Sequence, residues 1–235
     1  MKKVVIAISL ILFYLPVMSW ASPITELKNT QYAAIIEKAK SDPANAKKAL
    51  LANPPANVEN DIAAQYYLLL SQLNYTLVYG EEALAAANKG LALITAEKYP
   101  KLFHQLNISK SAAYDHTAEP AKGLPLLNNA IDWARKNKDI STEADALYYR
   151  GQLYMSLTNY VKALSDLQTV YYLASNNTIT LKAEEISSAL ALVYEYRHEY
   201  QLALPYFEES VAYYRRQNQP VDLSISLYGL GKANL

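Results

Sequence analysis

From about Thr25 to the end of the chain, apolar residues return at three- and four-residue steps, with polar residues between them. That rhythm gathers the apolar side chains on one face of an α-helix, and no segment alternates as a half-buried strand does. A first helix is predicted from Thr25 or Asn29 to Lys40. Asp42 and Pro43 then cap and open a short second helix, and the run Asn53, Pro54, Pro55, Ala56, Asn57 forms a loop. Further on, helices are predicted from Ser141 or Thr142 to about Leu157, from Tyr160 to Ala174, from near Leu181 to Arg197, and from Tyr200 to about Gln217. Turns fall at Thr158 and Asn159, at Ser175 to Asn177, at His198 and Glu199, and at Gln219 and Pro220.

Small residues punctuate this pattern at a fixed interval. Ser71, Ser111, Gly151, Ala191 and Gly231 are spaced 40 positions apart, and so are Ala83, Gly123, Ala163 and Ala203. Tyr114, Tyr154 and Tyr194 keep the same phase, as do Leu127, Leu167 and Phe207. A period of this length means stacked copies of one supersecondary unit, here a pair of antiparallel helices. Glycine inside a helix costs about 1 kcal/mol relative to alanine, so its recurrence implies close backbone contact. Gly151 with Ala163, and Ala191 with Ala203, are expected to meet where the two helices of a unit cross. Tyr154 and Tyr194 are expected to wedge against the following unit.

The residues Leu190, Ala191 and Tyr194 followed by Ala203 and Phe207, and Gly151 and Tyr154 followed by Ala163 and Leu167, resemble the signature of the tetratricopeptide repeat. Leu230 and Gly231 begin the same phrase again. The resemblance implies an all-α, right-handed superhelix of antiparallel helix pairs. Its unit of about 40 residues exceeds the common 34, which implies longer helices. On this reading residues 1–21 are a signal peptide, 22–62 a divergent helical pair, and 63–235 the array, with units starting near 64, 104, 144, 184 and 224. The last unit is incomplete within this sequence. Leu227, Leu230 and Leu235, with Lys232 as the one nearby charge, favour a fragment of a longer protein over a closing helix. The long unit and the phrase from Ala191 to Ser210 also resemble the periplasmic sensor half of bacterial transmembrane diguanylate cyclases. There a membrane helix and a catalytic domain with a Gly-Gly-Asp/Glu-Glu-Phe motif follow the array.

Composition narrows the function. Twenty-two basic residues balance 22 acidic ones, without the concentrated basic surface that nucleic acid requires. Met1, Lys2 and Lys3, the apolar run Val4 to Met18, and Ser19, Trp20 and Ala21 read as an export signal cleaved after Ala21. The run falls short of the roughly 20 apolar residues that span a bilayer. The chain is therefore expected in a bacterial periplasm, meeting the membrane only through a segment beyond residue 235. Cysteine is absent, which excludes disulfides, thiolate metal sites and a cysteine nucleophile.

The resemblance also implies a concave groove lined by the first helix of each unit. The matching positions are Gln65, Gln72 and Tyr75; Gln105 and Asp115; Asp145, Tyr148, Gln152 and Met155; Glu185, Ser188 and Glu195; and Tyr228 and Lys232. Polar, aromatic and mildly acidic, this set is suited to a protein, a peptide or a small polar ligand. It lacks the Lys and Asn with which some relatives clamp a terminal carboxylate. His104, His116 and His198 have no ligand-pair spacing, the adjacent Glu pairs at 81, 184 and 208 diverge on a helix, and Gly229 and Gly231 fall within one. No cofactor, metal or catalytic set is implied. Two readings stay open, a periplasmic sensor region of a signalling protein and a freestanding envelope scaffold or chaperone.

Overall fold

The computed structural model describes residues 32–39, 41–179, 181 and 183–234. The export signal and the start of the first predicted helix lie outside them. Among the described residues there are eleven helices and no strand. They are α1 (Ala33–Ala39), α2 (Pro43–Leu51), α3 (Asn60–Thr76), α4 (Gly80–Leu91), α5 (Pro100–His116), α6 (Pro120–Asn137), α7 (Ile140–Ser156), α8 (Tyr160–Ser175), α9 (Ala183–Tyr196), α10 (Tyr200–Arg216) and α11 (Pro220–Ala233). They belong to two compact units, one ending at Leu181 and one comprising the last three helices.

In the unit ending at Leu181 each helix packs on the next, and the first helices of successive pairs, α3, α5 and α7, also touch one another directly. The architecture is the helical-repeat solenoid that the 40-residue period predicts. α1 and α2 are continuous with it: Tyr32, Ile36 and Leu50 pack on Tyr66, Leu69 and Leu73 of α3. In the other unit α9, α10 and α11 contact one another pairwise.

Helix boundaries follow local chemistry. Asp42 caps α2, accepting a hydrogen bond from the Asn45 N–H, and proline stands in the first turn of α2, α5, α6 and α11. First helices α3, α5, α7 and α11 begin about four residues ahead of the expected unit starts. At α7 the cap is Asp139, whose carboxylate accepts from the Thr142 N–H and Oγ1. That leaves Ser141 and Thr142 inside the first turn.

The tight turn inside each pair has a repeat of its own. Val78, Ala118, Thr158 and His198 take a left-handed backbone, with φ of 67°, 59°, 57° and 60°. The next N–H in each turn donates five residues back, to the carbonyls of Asn74, Tyr114, Tyr154 and Tyr194. This is the Schellman closure of a helix end, usually made by glycine.

The small residues sit where the helices cross. A Cβ on Gly151 would lie 2.9 Å from Leu167 Cγ and 3.5 Å from the Ala163 carbonyl oxygen. The hydroxyls of Ser71 and Ser111 donate to the carbonyls of Ala83 and Gly123, at 2.9 and 3.2 Å. Ala191 and Ala203 are fully buried. Gly231 differs, because nothing lies within 4 Å of the Cβ it lacks, while nearby Gly229 packs on the Phe207 ring. Tyr194 stacks on Tyr206, and Tyr154 lies by Lys162, each a contact within its own helix pair. Tyr148 and Tyr149 are both buried, as are Tyr213 and Tyr214, because the helices that carry them are packed around more than one face.

Candidate functional site

The side-by-side placement of α3, α5 and α7 brings most of the expected groove residues into one region. From α3 come Gln65, Gln72 and Tyr75; from α5, Gln105 and Asp115; from α7, Asp145, Tyr148, Gln152 and Met155. Gln65, Tyr75, Gln105, Tyr148, Gln152 and Met155 are buried, whereas Gln72, Asp115 and Asp145 are half-buried. Their occurrence on successive first helices follows from the repeat: one register position faces the same way in every copy.

The polar atoms here are unevenly satisfied. The Gln152 amide donates to the Tyr148 hydroxyl at 2.8 Å. Asp115 accepts from Ser156 on the neighbouring first helix, yet burial still raises its pKa above the usual carboxylate value. Gln72 Oε1 and Gln105 Nε2 are buried without a hydrogen-bond partner, although Gln105 is only 5% exposed. A buried amide left unpaired costs about 1–3 kcal/mol.

One wall is aromatic. Tyr75 stacks on His116 with ring centroids 4.4 Å apart and meets the edge of Tyr149 at 5.8 Å. Burial lowers the His116 pKa to about 4, so this imidazole is neutral at neutral pH. Burial, with Asp145 nearby, pushes the Tyr149 phenol up. His116, Tyr149 and Ser156 were not among the expected groove residues. Each adjoins an expected one, Asp115, Tyr148 and Met155, which was the available signal.

The remaining candidates belong to the unit of α9–α11 and are largely occupied there. Glu185 accepts from the Tyr213 hydroxyl, and Ser188 lies 3.3 Å from the Tyr214 hydroxyl. The buried carboxylate of Glu195 holds Lys232 at 2.6 Å. Tyr228 is 63% exposed. Of the histidines, His104 stacks on Trp133, and His198 stands exposed in its turn, 3.0 Å from the Tyr200 hydroxyl. Among the described residues no group of three His, Asp or Glu side chains is arranged to hold a metal, and no helix is long and apolar enough to cross a membrane.

No protein-family model matches the sequence, and no curated protein does. Solved structures do resemble the fold. The apo form of RapI superposes with a TM-score of 0.59 at 15% identity, over 80% of this chain and 72% of its own. A STAND signal-transduction ATPase with a tetratricopeptide repeat sensor, from Pyrococcus horikoshii, gives 0.64 at 20% identity, over 86% of this chain and 31% of that one. A Rap protein complexed with competence and sporulation factor gives 0.64 at 16% identity, over 88% and 60%. The chain thus spans between about a third and about three quarters of these proteins, and what they share with it is a tetratricopeptide-like helical-repeat fold.

Proposed function

We propose that this chain is the exported, ligand-binding sensor region of a bacterial envelope signalling protein, and that the ligand is an extended peptide bound along α3, α5 and α7. The supporting observation is the run of amide and phenol groups on three successive first helices. Gln72 Oε1 and Gln105 Nε2 offer one acceptor and one donor without partners, the complement of a peptide's N–H and C=O. Asp115 and Asp145, both half-buried, favour a ligand that is neutral or positively charged there.

The similar structures support the reading by kind: one is titled a repeat sensor and another a complex with a competence and sporulation factor. In the parent protein we place the array on the periplasmic side, followed by a membrane helix and a diguanylate cyclase domain. The gene past codon 235 tests that placement: it should encode about 20 apolar residues and then a Gly-Gly-x-Glu-Phe segment. An early stop would favour a freestanding scaffold.

The binding test is calorimetry of the processed chain against a library of short envelope peptides, repeated with Gln105→Leu and Gln152→Ala. Gln105→Leu keeps the volume and removes an unpaired amide, so it should leave stability unchanged or raised while weakening binding about tenfold, a factor equal to about 1.4 kcal/mol. Peptide binding that survives both changes would remove the site from α3–α7.

A further inference from the structure

The interface between α11 and the pair α9–α10 departs from the chemistry its register dictates. Position 222 corresponds to Ile62, Leu102, Thr142 and Lys182, and position 226 to Tyr66, Leu106, Ala146 and Ile186. Leu102, Leu106, Ala146 and Ile186 are buried in the core of their own units, and the Thr142 hydroxyl is satisfied by Asp139. In the α9–α11 unit these two places hold Asp222 and Ser226, and they are as buried as their apolar counterparts, 7% and 0% exposed. Neither Asp222 Oδ1 nor Ser226 Oγ has a hydrogen-bond partner.

The opposing surface has changed with them. Tyr214 replaces the Ala134 and Ala174 of earlier pairs, and Ser188 replaces Ile108 and Tyr148. The Tyr214 hydroxyl reaches Ser188, and its phenol feels the charges of both Asp222 and Glu185. Four polar replacements thus converge on one inter-helix contact.

We propose that this cluster makes the packing of α11 on α9 and α10 proton-dependent, so that the helix is latched when Asp222 is protonated and loosened when it is ionised. Tyr214 from α10 feels the charge of Asp222, and it also feels Glu185 from α9, which is itself held by Tyr213. Three cations of this unit are engaged elsewhere, Lys232 by Glu195, Arg216 by Glu184 and Arg197 by Glu199, and the Arg215 side chain is exposed. Its own backbone N–H favours the ionised carboxylate, but burial, which disfavours the charge, outweighs it. A protonated carboxyl brings no charge into the buried contact and adds an O–H that the unpaired Ser226 oxygen can accept. Burial raises the Asp222 pKa from 3.8 to about 6. The latch therefore works between mild acid and neutrality, the range an envelope compartment meets. Ionised, the carboxyl loses that donor and carries a charge into a buried contact, and the first turn of α11 is the element that yields.

The test is hydrogen exchange of α11 amides in the full chain from pH 4.5 to 7.5, corrected for intrinsic exchange rates and referenced to α7. Protection of α11 should fall about tenfold or more across that range, the change that one pKa unit of coupling produces, while α7 stays level. In Asp222→Asn, which keeps the shape but cannot ionise, α11 protection should be independent of pH, and Asp222→Leu should match it with a register-typical side chain. Wild-type α11 protection that does not change with pH, or a change that persists in both variants, would overturn the proposal.

Discussion

Replacing glycine by alanine at two positions of this fold should change stability in opposite directions. Inside a helix the exchange is worth about 1 kcal/mol in favour of alanine, from propensity alone. At Gly123 the added Cβ would lie 2.5 Å from Leu153 Cδ1, 3.0 Å from the Ser111 carbonyl oxygen and 3.2 Å from Ser111 Cα. The leucine tip can swing away. The Ser111 backbone cannot, because α5 is held there by hydrogen bonds from the Ser111 hydroxyl to the Asn107 and Gly123 carbonyls. Forcing such a crossing apart costs about 1–3 kcal/mol, so Gly123→Ala should be net destabilising by about 1–2 kcal/mol once propensity is credited. At Gly231 nothing lies within 4 Å of the new methyl, so only the propensity gain remains. Gly231→Ala should then stabilise by a few tenths to about 1 kcal/mol, less than a mid-helix site because α11 ends at Ala233. Urea denaturation followed by circular dichroism, with each variant compared at constant m-value, reads both numbers. If Gly123→Ala stabilised the chain as much as Gly231→Ala, the crossing would not be backbone-limited, and close helix approach would no longer explain the small-residue repeat.

Further outcomes follow from single contacts. Arg150 grips Asp166 through two hydrogen bonds of 2.7 and 2.8 Å and also holds Asn128. Because Arg150→Ala strands a buried carboxylate, it should cost about 2–4 kcal/mol, and Arg150→Lys should recover only part of this, as the thermal midpoints will show. Val78 is β-branched yet sits at φ 67°, where an L-residue is strained by about 1–2 kcal/mol. Val78→Gly should therefore raise the midpoint despite losing side-chain surface. For Asp222 the sign is set by a raised native pKa. The native state binds a proton that the unfolded chain has released, so stability is lost as pH rises from 3.8 toward about 6. Asp222→Asn should accordingly add about 1–3 kcal/mol at pH 7.5 and almost nothing at pH 4, measured by denaturation at the two values.

The fold was legible because the repeat amplifies weak signals. One small residue in a helix says little, but five at equal spacing, each answered twelve positions later by Ala or Gly in the four complete units, dictate a helix pair and its crossing point. Turn positions within pairs were equally regular and yet easy to miss. Val78, Ala118, Thr158 and His198 share a backbone conformation and no side-chain chemistry, and none is the glycine that normally reports it. A helical period places Tyr154 and Tyr194 on a face but does not name their neighbours, which in their own pairs include Lys162 and Tyr206.

For the candidate site, register alone could place Gln65, Gln105 and Tyr148 on corresponding faces of successive helices. It could not say which would find partners. That depends on what each amide meets in three dimensions: Gln152 donates to Tyr148 one turn away on its own helix, whereas Gln105 Nε2 meets no partner. The same comparison across copies turns an ordinary acidic residue into an anomaly. Asp222 in isolation reads as a favourable first-turn carboxylate at a helix start. Beside Leu102 and Thr142 it is a carboxyl at a position that those copies bury, and the structure buries it there too. In a repeat protein, then, the informative residues are those whose surroundings do not suit their chemistry. Gln105 repeats Gln65 and is marked out by its unpaired amide, and Asp222 is marked out as a carboxyl that its own fold prefers protonated.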